Sequence, residues 1–216
     1  MTAINKIKKI LCYGDSNTFG YRPDGLGRYN KSIRWPGILQ NKLGAAYSVI
    51  EDGSCGRTTI YEDPNRPYKN GKDFLLPSIA IHSPVHLILL MLGTNDLKTI
   101  YKPTPEKVGA GIEILLDIIE KNPGANNGIV PDVLLVSPIH LMDSVWKDGL
   151  DPAFDAESVK VSKQLEETYR NIAAEHKCRF FSASSVAAAS EIDAEHLDET
   201  GHLRLAEAFY RMVITM

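Results

Sequence analysis

Basic residues are not in excess: 24 Lys and Arg stand against 27 Asp and Glu, for a net charge of -3. That balance argues against a dedicated nucleic-acid binder, whose footprint would be basic. It also gives no reason to expect an acidic membrane as partner. Cysteine is scarce. Cys12, Cys55 and Cys178 form an odd set without regular spacing, so no disulfide framework is expected and the set suits a reducing compartment. No apolar run approaches the ~18 residues of a membrane span. The N-terminus carries Lys6, Lys8 and Lys9, but the apolar run at 10–13 breaks at Gly14, short of the roughly 7–15 residues of a secretory leader. A cytoplasmic protein is the expectation. There is no internal repeat, no low-complexity tract and no Walker motif. Gly25 and Gly27 lack the third glycine of a dinucleotide fingerprint. Position 18 is Thr, so Ser16 does not sit in a Gly-x-Ser-x-Gly elbow.

What is present fits one α/β domain over residues 1–216, with 44% hydrophobic residues to supply a core. Short apolar runs at 10–13, 47–51, 87–92, 133–136 and 179–182 read as strands. They are continuous rather than alternating, as a sheet covered on both faces requires. Helical patterns lie between them, at 35–43, 75–82, 105–121, 156–176 and 200–212. In the third of these, Val108, Ile112, Leu115, Leu116 and Ile119 recur at helical spacing, and Thr104 before Pro105 is a good start. The order predicts a five-stranded parallel sheet with helices on both faces. Residues 122–128 read as a flexible turn. Residues 138–155, with Trp146 and Phe154, read as a lid, an oligomer contact or a plain surface loop.

In open parallel sheets, functional groups gather beyond the C-terminal ends of the strands. After the first strand comes Gly14-Asp15-Ser16-Asn17, after the second Gly53 to Thr59, after the third Gly93-Thr94-Asn95-Asp96. Asp193-Ala194-Glu195-His196 precedes the last helix. Serine at neutral pH needs a base, a carboxylate to orient the base, and donors for the developing oxyanion. Ser16, on a turn after a strand, is the candidate nucleophile. His196 can act as general base and then acid, and Asp193 can hold its imidazole. The backbone N–H groups of Ser16 and Gly56 and the side-chain amide of Asn95 can form the oxyanion hole; Gly56 has no side chain to obstruct that approach.

These four blocks, in this order, resemble the signature of the SGNH (GDSL) hydrolase family, from about Ile10 to the last helix. Residues 13–20, 34–37 and 56–59 are similar to its arylesterase and acyltransferase branch. The resemblance implies a flavodoxin-like three-layer α/β/α fold and a hydrolase acting on short acyl esters. It also implies acyl transfer to alcohols or peroxide, and homo-oligomers occur in the branch. The family nickname expects Leu after the nucleophile, where Asn17 stands; that makes the pocket wall more polar. Ala194 replaces a frequent Gly, which should matter little.

Asn17, Trp35 and Phe19 are candidate substrate-binding residues, with the core as the alternative for Trp35 and Phe19. Asp15 and Asp96 read as structural, Asp96 as an Asx-turn pair with Asn95, and Thr94 as turn support. Arg34 and Arg57 are candidates to meet an anionic substrate. His140 could line the cleft. His202 reads as a helix-surface histidine, since no spacing here matches a metal site. Cys55 is a rival nucleophile that lacks an adjacent base. The expected partner is a small-molecule ester, with no nucleic acid, membrane, metal or organic cofactor. Two other functions stay open: a carbohydrate O-acetyl esterase, and a non-catalytic carbohydrate-binding module on the same fold.

Overall fold

Buried backbone groups must bond one another, and here the apolar runs do so in a single sheet. The computed structural model describes residues 7–216; residues 1–6, read above for a leader, lie outside the described residues. The strands are β1 (Lys8–Gly14), β2 (Tyr47–Gly53), β3 (Leu87–Met91), β4 (Asp132–Ser137) and β5 (Arg179–Ser182). Every pairing is parallel, in the order β2-β1-β3-β4-β5. The helices are α1 (Ser16–Phe19), α2 (Trp35–Leu43), α3 (Gly71–His82), α4 (Pro105–Lys121), α5 (Ser144–Lys147), α6 (Ala156–Glu175) and α7 (Glu199–Val213).

Successive side chains of a strand point to opposite faces, and both faces are buried. Leu11, Tyr13, Ile88, Leu90 and Leu135 pack under α3, α4 and α6. Ile10, Cys12, Leu89, Leu134 and Val136 pack under α2 and α7. The result is three layers, α/β/α. Truncating one of the wholly buried leucines, such as Leu90, would cost about 2–5 kcal/mol. Thr104 caps α4, Asp155 caps α6 in a capping box, and Asp198 caps α7. No helix among the described residues is long and apolar enough to cross a membrane.

Helix α3 begins four residues before the expected start. Asn70 accepts from the backbone N–H of Lys72 and caps it there, while Gly71 and Pro77 weaken the sequence signal. The turn at 122–128 is anchored: the Asn126 side chain is buried and bonds both the N–H and the C=O of Val85. The chain runs from β1 outward to β2, then crosses back to β3 on the other side of β1. The crevice between the ends of β1 and β3 is therefore the topological switch point, where such sheets bind ligands.

His202 is not on the helix surface. It is fully buried, accepts from the Trp35 N–H at 3.3 Å and meets the edge of the Tyr29 ring. Its face of α7 turns inward because α7 docks on α2. Burial lowers its pKa to about 4. The unfolded chain takes up this proton near pH 6.5, the folded chain only near 4. Acidification across that window therefore favours unfolding, by on the order of 3 kcal/mol. His202→Gln should lack this part of the pH dependence. Urea unfolding of both proteins at pH 7 and pH 4.5 checks it: the wild type should lose more stability, and equal losses would reject a neutral buried His202.

Candidate active site

The first turn after β1 is tight by construction. Asp15 caps the single turn of α1 by accepting from the Asn17 N–H at 2.9 Å. The Ser16 carbonyl accepts from the N–H groups of both Gly20 and Tyr21. The end of β2 presses on this turn: a Cβ on Gly53 would lie 2.1 Å from the Phe19 nitrogen. Ser16 is thereby held at the mouth of the β1/β3 crevice.

The loop 190–198 brings the imidazole to it. Asp193 does two jobs. Its Oδ1 accepts from the N–H groups of Glu195 and His196, at 3.1 and 2.9 Å. Its Oδ2 lies 2.7 Å from His196 Nδ1. On the other side of the ring, His196 Nε2 lies 2.8 Å from Ser16 Oγ. Asp193, His196 and Ser16 thus form one hydrogen-bonded row. Ala194 sits at φ 62°, the left-handed region, where a side chain costs roughly 1–2 kcal/mol. A glycine would take this conformation without that penalty, so the residue at 194 carries a backbone cost, contrary to the expectation that Ala194 matters little.

Gly56 adopts φ 84°, a conformation glycine takes without penalty. The Asn95 Nδ2 donates to the Arg57 carbonyl at 3.2 Å, which leaves its second N–H available. Asp96 ties the same segment down by accepting from the backbone N–H and the hydroxyl of Thr59. It is structural, as expected, though through a loop-to-loop tie rather than an Asx turn. Ser16, Gly56, Asn95 and His196 all line one cleft of about 580 Å³.

Burial by itself would lower the His196 pKa. The hydrogen bond to Asp193 and the charges of Glu195, Asp193 and Asp15 outweigh it and hold the value above that of ordinary histidine. Burial pushes Asp193 up, but its bonds to His196 and to backbone N–H groups bring it below the usual carboxylate value. Burial lifts Asp15 and Asp96 to about 6 each, and Glu195 to about 7.

Several candidates fall elsewhere. Trp35 is wholly buried, packs on Phe209, and donates its Nε1–H to the Asn17 carbonyl. Phe19 is covered by the Arg28 guanidinium, 4.3 Å from its ring centre, outside the cleft. Asn17 does not face the cleft either. Its Oδ1 accepts from the Leu197 N–H at 2.9 Å and its Nδ2 donates to the Glu195 carbonyl at 3.3 Å. Asn17 straps the nucleophile turn to the histidine loop, so none of these three is a substrate-binding wall. Arg57 is buried and bonds the carbonyls of Gly14 and Asp52 and the Asp52 carboxylate; Arg34 pairs with Glu51. Neither guanidinium lines the cleft, and neither does His140. Cys55 does, but burial raises its thiol pKa, which disfavours the nucleophilic thiolate.

Sequence reasoning passed over several cleft residues. Tyr21 lies with its ring centre 4.9 Å from that of His196. Glu195 is buried beside it. Lys98 pairs with Asp63 at 3.2 Å in the wall. Leu150, Asp151 and Ala153 also line the cleft, so the connection at 138–155 contributes a wall. The one signal for Glu195 was its place inside the Asp193-x-x-His196 block. Among the described residues, Asp117, Glu120 and His176 could together hold a metal ion. They lie near the C-terminal ends of α4 and α6, off the cleft, where Lys121 pairs with Asp117.

The family described as GDSL-like lipase/acylhydrolase matches residues 12–212. Among solved structures, the aryl esterase of M. smegmatis is similar at TM-score 0.88 and 33% identity, over 96% of this chain and 99% of that one. A carbohydrate acetylesterase family member from Sinorhizobium meliloti is similar at TM-score 0.89 and 35% identity, over 97% and 98%. A lipase/acylhydrolase from Enterococcus faecalis, at 18% identity and TM-score 0.65, over 96% and 95%, shares the fold. No curated protein sequence matches.

The strap predicts the effect of Asn17→Leu. Leucine leaves the buried N–H of Leu197 and C=O of Glu195 without partners, which should cost about 1–3 kcal/mol. Denaturant unfolding measures it, and a change below a few tenths would mean the strap is idle.

Proposed function

The chain belongs to the GDSL-like lipase/acylhydrolase family, and from that premise we propose that it hydrolyses short-chain acyl esters through an acyl intermediate on Ser16. It is a carboxylic ester hydrolase by family; the substrate and the residues in each role are the proposal. The observation that carries it is the unbroken row from Asp193 through His196 to Ser16 at the switch point of the sheet.

The geometry supports two half-reactions. Ser16 Oγ attacks the ester carbonyl as His196 Nε2 takes its proton. The oxyanion is met by the N–H groups of Ser16 and Gly56 and by the free N–H of the Asn95 amide. Collapse expels the alcohol with the proton from His196. Water, or another small nucleophile such as an alcohol or peroxide, then gives its proton to His196 and attacks the acyl group; the acyl–Oγ bond breaks and His196 returns the proton to Ser16.

The walls favour a short acyl group. Asp63, Asn65, Arg66, Lys98, Asp151 and Glu195 line the cleft among Tyr21, Pro23, Ile100, Leu150 and Ala153, so polar and charged groups break up the apolar wall beside the reacting centre. The same polar lining favours a hydroxyl-rich alcohol, and deacetylation of a carbohydrate is the second reading. The similarity to the Sinorhizobium meliloti protein, named as a carbohydrate acetylesterase, supports it; the M. smegmatis protein, named an aryl esterase, supports the first. Rates on nitrophenyl acetate and on an acetylated sugar would rank the two.

Ser16→Ala should abolish turnover of a short-chain nitrophenyl ester while leaving the fold intact. Equal rates in both proteins would move the chemistry elsewhere. Asn95→Ala should lower kcat by about 10²–10³; a loss of only a few-fold would remove Asn95 from the oxyanion hole. Neutral His196 is the competent form, and its pKa is held above the ordinary value. Activity should therefore fall as pH drops through a midpoint above about 6.5, the ordinary histidine value. A kcat/KM profile flat from pH 5 to 8 would count against His196 as base.

A further inference from the structure

One buried acid in the cleft has no part in the scheme above. Glu195 is only 8% exposed, and among the described residues its carboxyl accepts no hydrogen bond from the protein. Its Oε2 lies 3.9 Å from His196 Nδ1, the same nitrogen that Asp193 holds at 2.7 Å. No Lys or Arg reaches it within ion-pair distance among the described residues; His196 is the one group there able to carry positive charge.

Lys98, paired with Asp63, and Arg66 line the same cleft beyond ion-pair distance of it, and the other charged groups that act on it are acidic. Asp193 stands on the same loop, Asp15 at the start of α1, and Asp151 on the connection after α5. Ser16 and Tyr21 flank the imidazole on the chain leading to α2. His202, on α7, is held neutral by burial down to about pH 4. A buried carboxylate without a cation is costly. That cost is relieved when the neighbouring imidazole becomes an imidazolium, which in ester cleavage happens in the transition state.

We propose that Glu195 is a second carboxylate for His196, a positioning residue that holds positive charge on the imidazole beside Asp193. It rests on the reading of His196 as the base, and deepens it. Burial brings the Glu195 carboxyl to about 7, and the charge of each group acts on the other, so the two titrate as a coupled pair. Protonation of the ring favours the ionised carboxyl, and the ionised carboxyl favours protonation of the ring. Of the two carboxylates, Asp193 fixes the tautomer and the ring's direction through a hydrogen bond. Glu195 adds charge at a distance too long for one.

Glu195→Gln keeps the shape and removes the charge. The His196 ring, followed by NMR through a pH titration, should titrate about one unit or more lower in this variant than in the wild type, as expected for losing an opposite charge at 4–6 Å or closer. The acid limb of kcat/KM should move down with it. A ring titration that does not move overturns the proposal. A merely structural Glu195 would change stability or KM and leave that titration in place. The ring titration needs no ester turnover, so an inactive wild type would sink the hydrolase reading and leave this result to be judged separately. Should Glu195→Gln fail to fold, Glu195→Ala decides: its His196 ring should again titrate lower than in the wild type, and an unchanged titration overturns the proposal.

Discussion

The site depends on a junction between two turns 180 residues apart in the chain, closed by the side chain of Asn17. The nucleophile turn belongs to β1, an inner strand of the sheet between β2 and β3, and the histidine belongs to a loop ahead of the last helix. Sheet pairing positions the first and the packing of α7 positions the second. Neither sets the distance between Ser16 and His196 to within a hydrogen bond. Asn17 does this by bonding the backbone on both sides of His196, through Glu195 and Leu197. Trp35 then locks Asn17 from below through its carbonyl. The core and the chemistry meet at this residue, and a leucine there could make neither bond.

Around that junction the protein collects buried acids, and their environments divide the work. Asp193 is rich in donors, from the ring and from two backbone N–H groups, and stays ionised. Asp15 and Asp96 are shut away from water and rise to about 6. They tie turns together and do not touch the cleft. Glu195 has burial without donors and rises further, to about 7. Perturbed groups of this kind are the usual mark of a working site. Here the same residue type takes different roles according to how many N–H groups reach each carboxyl.

The strands were legible because continuous apolar runs admit few alternatives in a sheet covered on both faces. The helices with regular periodicity, α4 and α6, were legible for the same reason. Helix α3 was blurred by Gly71 and Pro77, and its cap at Asn70 could not be told from any polar loop residue. The one-turn helices α1 and α5 are too short to leave a period. His202 was misread because its helix face was taken as exposed, and only the docking of α7 on α2 turns it inward. Trp35 and Phe19 were aromatic and near Ser16 in sequence. Burial and a covering arginine keep them from the cleft.

What the sequence determined by itself was the order of elements and the set of reactive groups brought to one edge of the sheet. Both follow from local chemistry: apolar runs make strands, and short blocks of Ser, Asn, Asp and His follow them. What only the tertiary structure decided was which neighbours share the cleft. Tyr21, Glu195, Lys98 and Asp151 come from four separate segments, and apart from the place of Glu195 inside the Asp193-x-x-His196 block nothing in their local sequence marks them. Asn17 shows the same limit from the other side. Its neighbour Ser16 faces the cleft while its own amide turns to the loop behind, because one turn of helix points adjacent side chains in different directions.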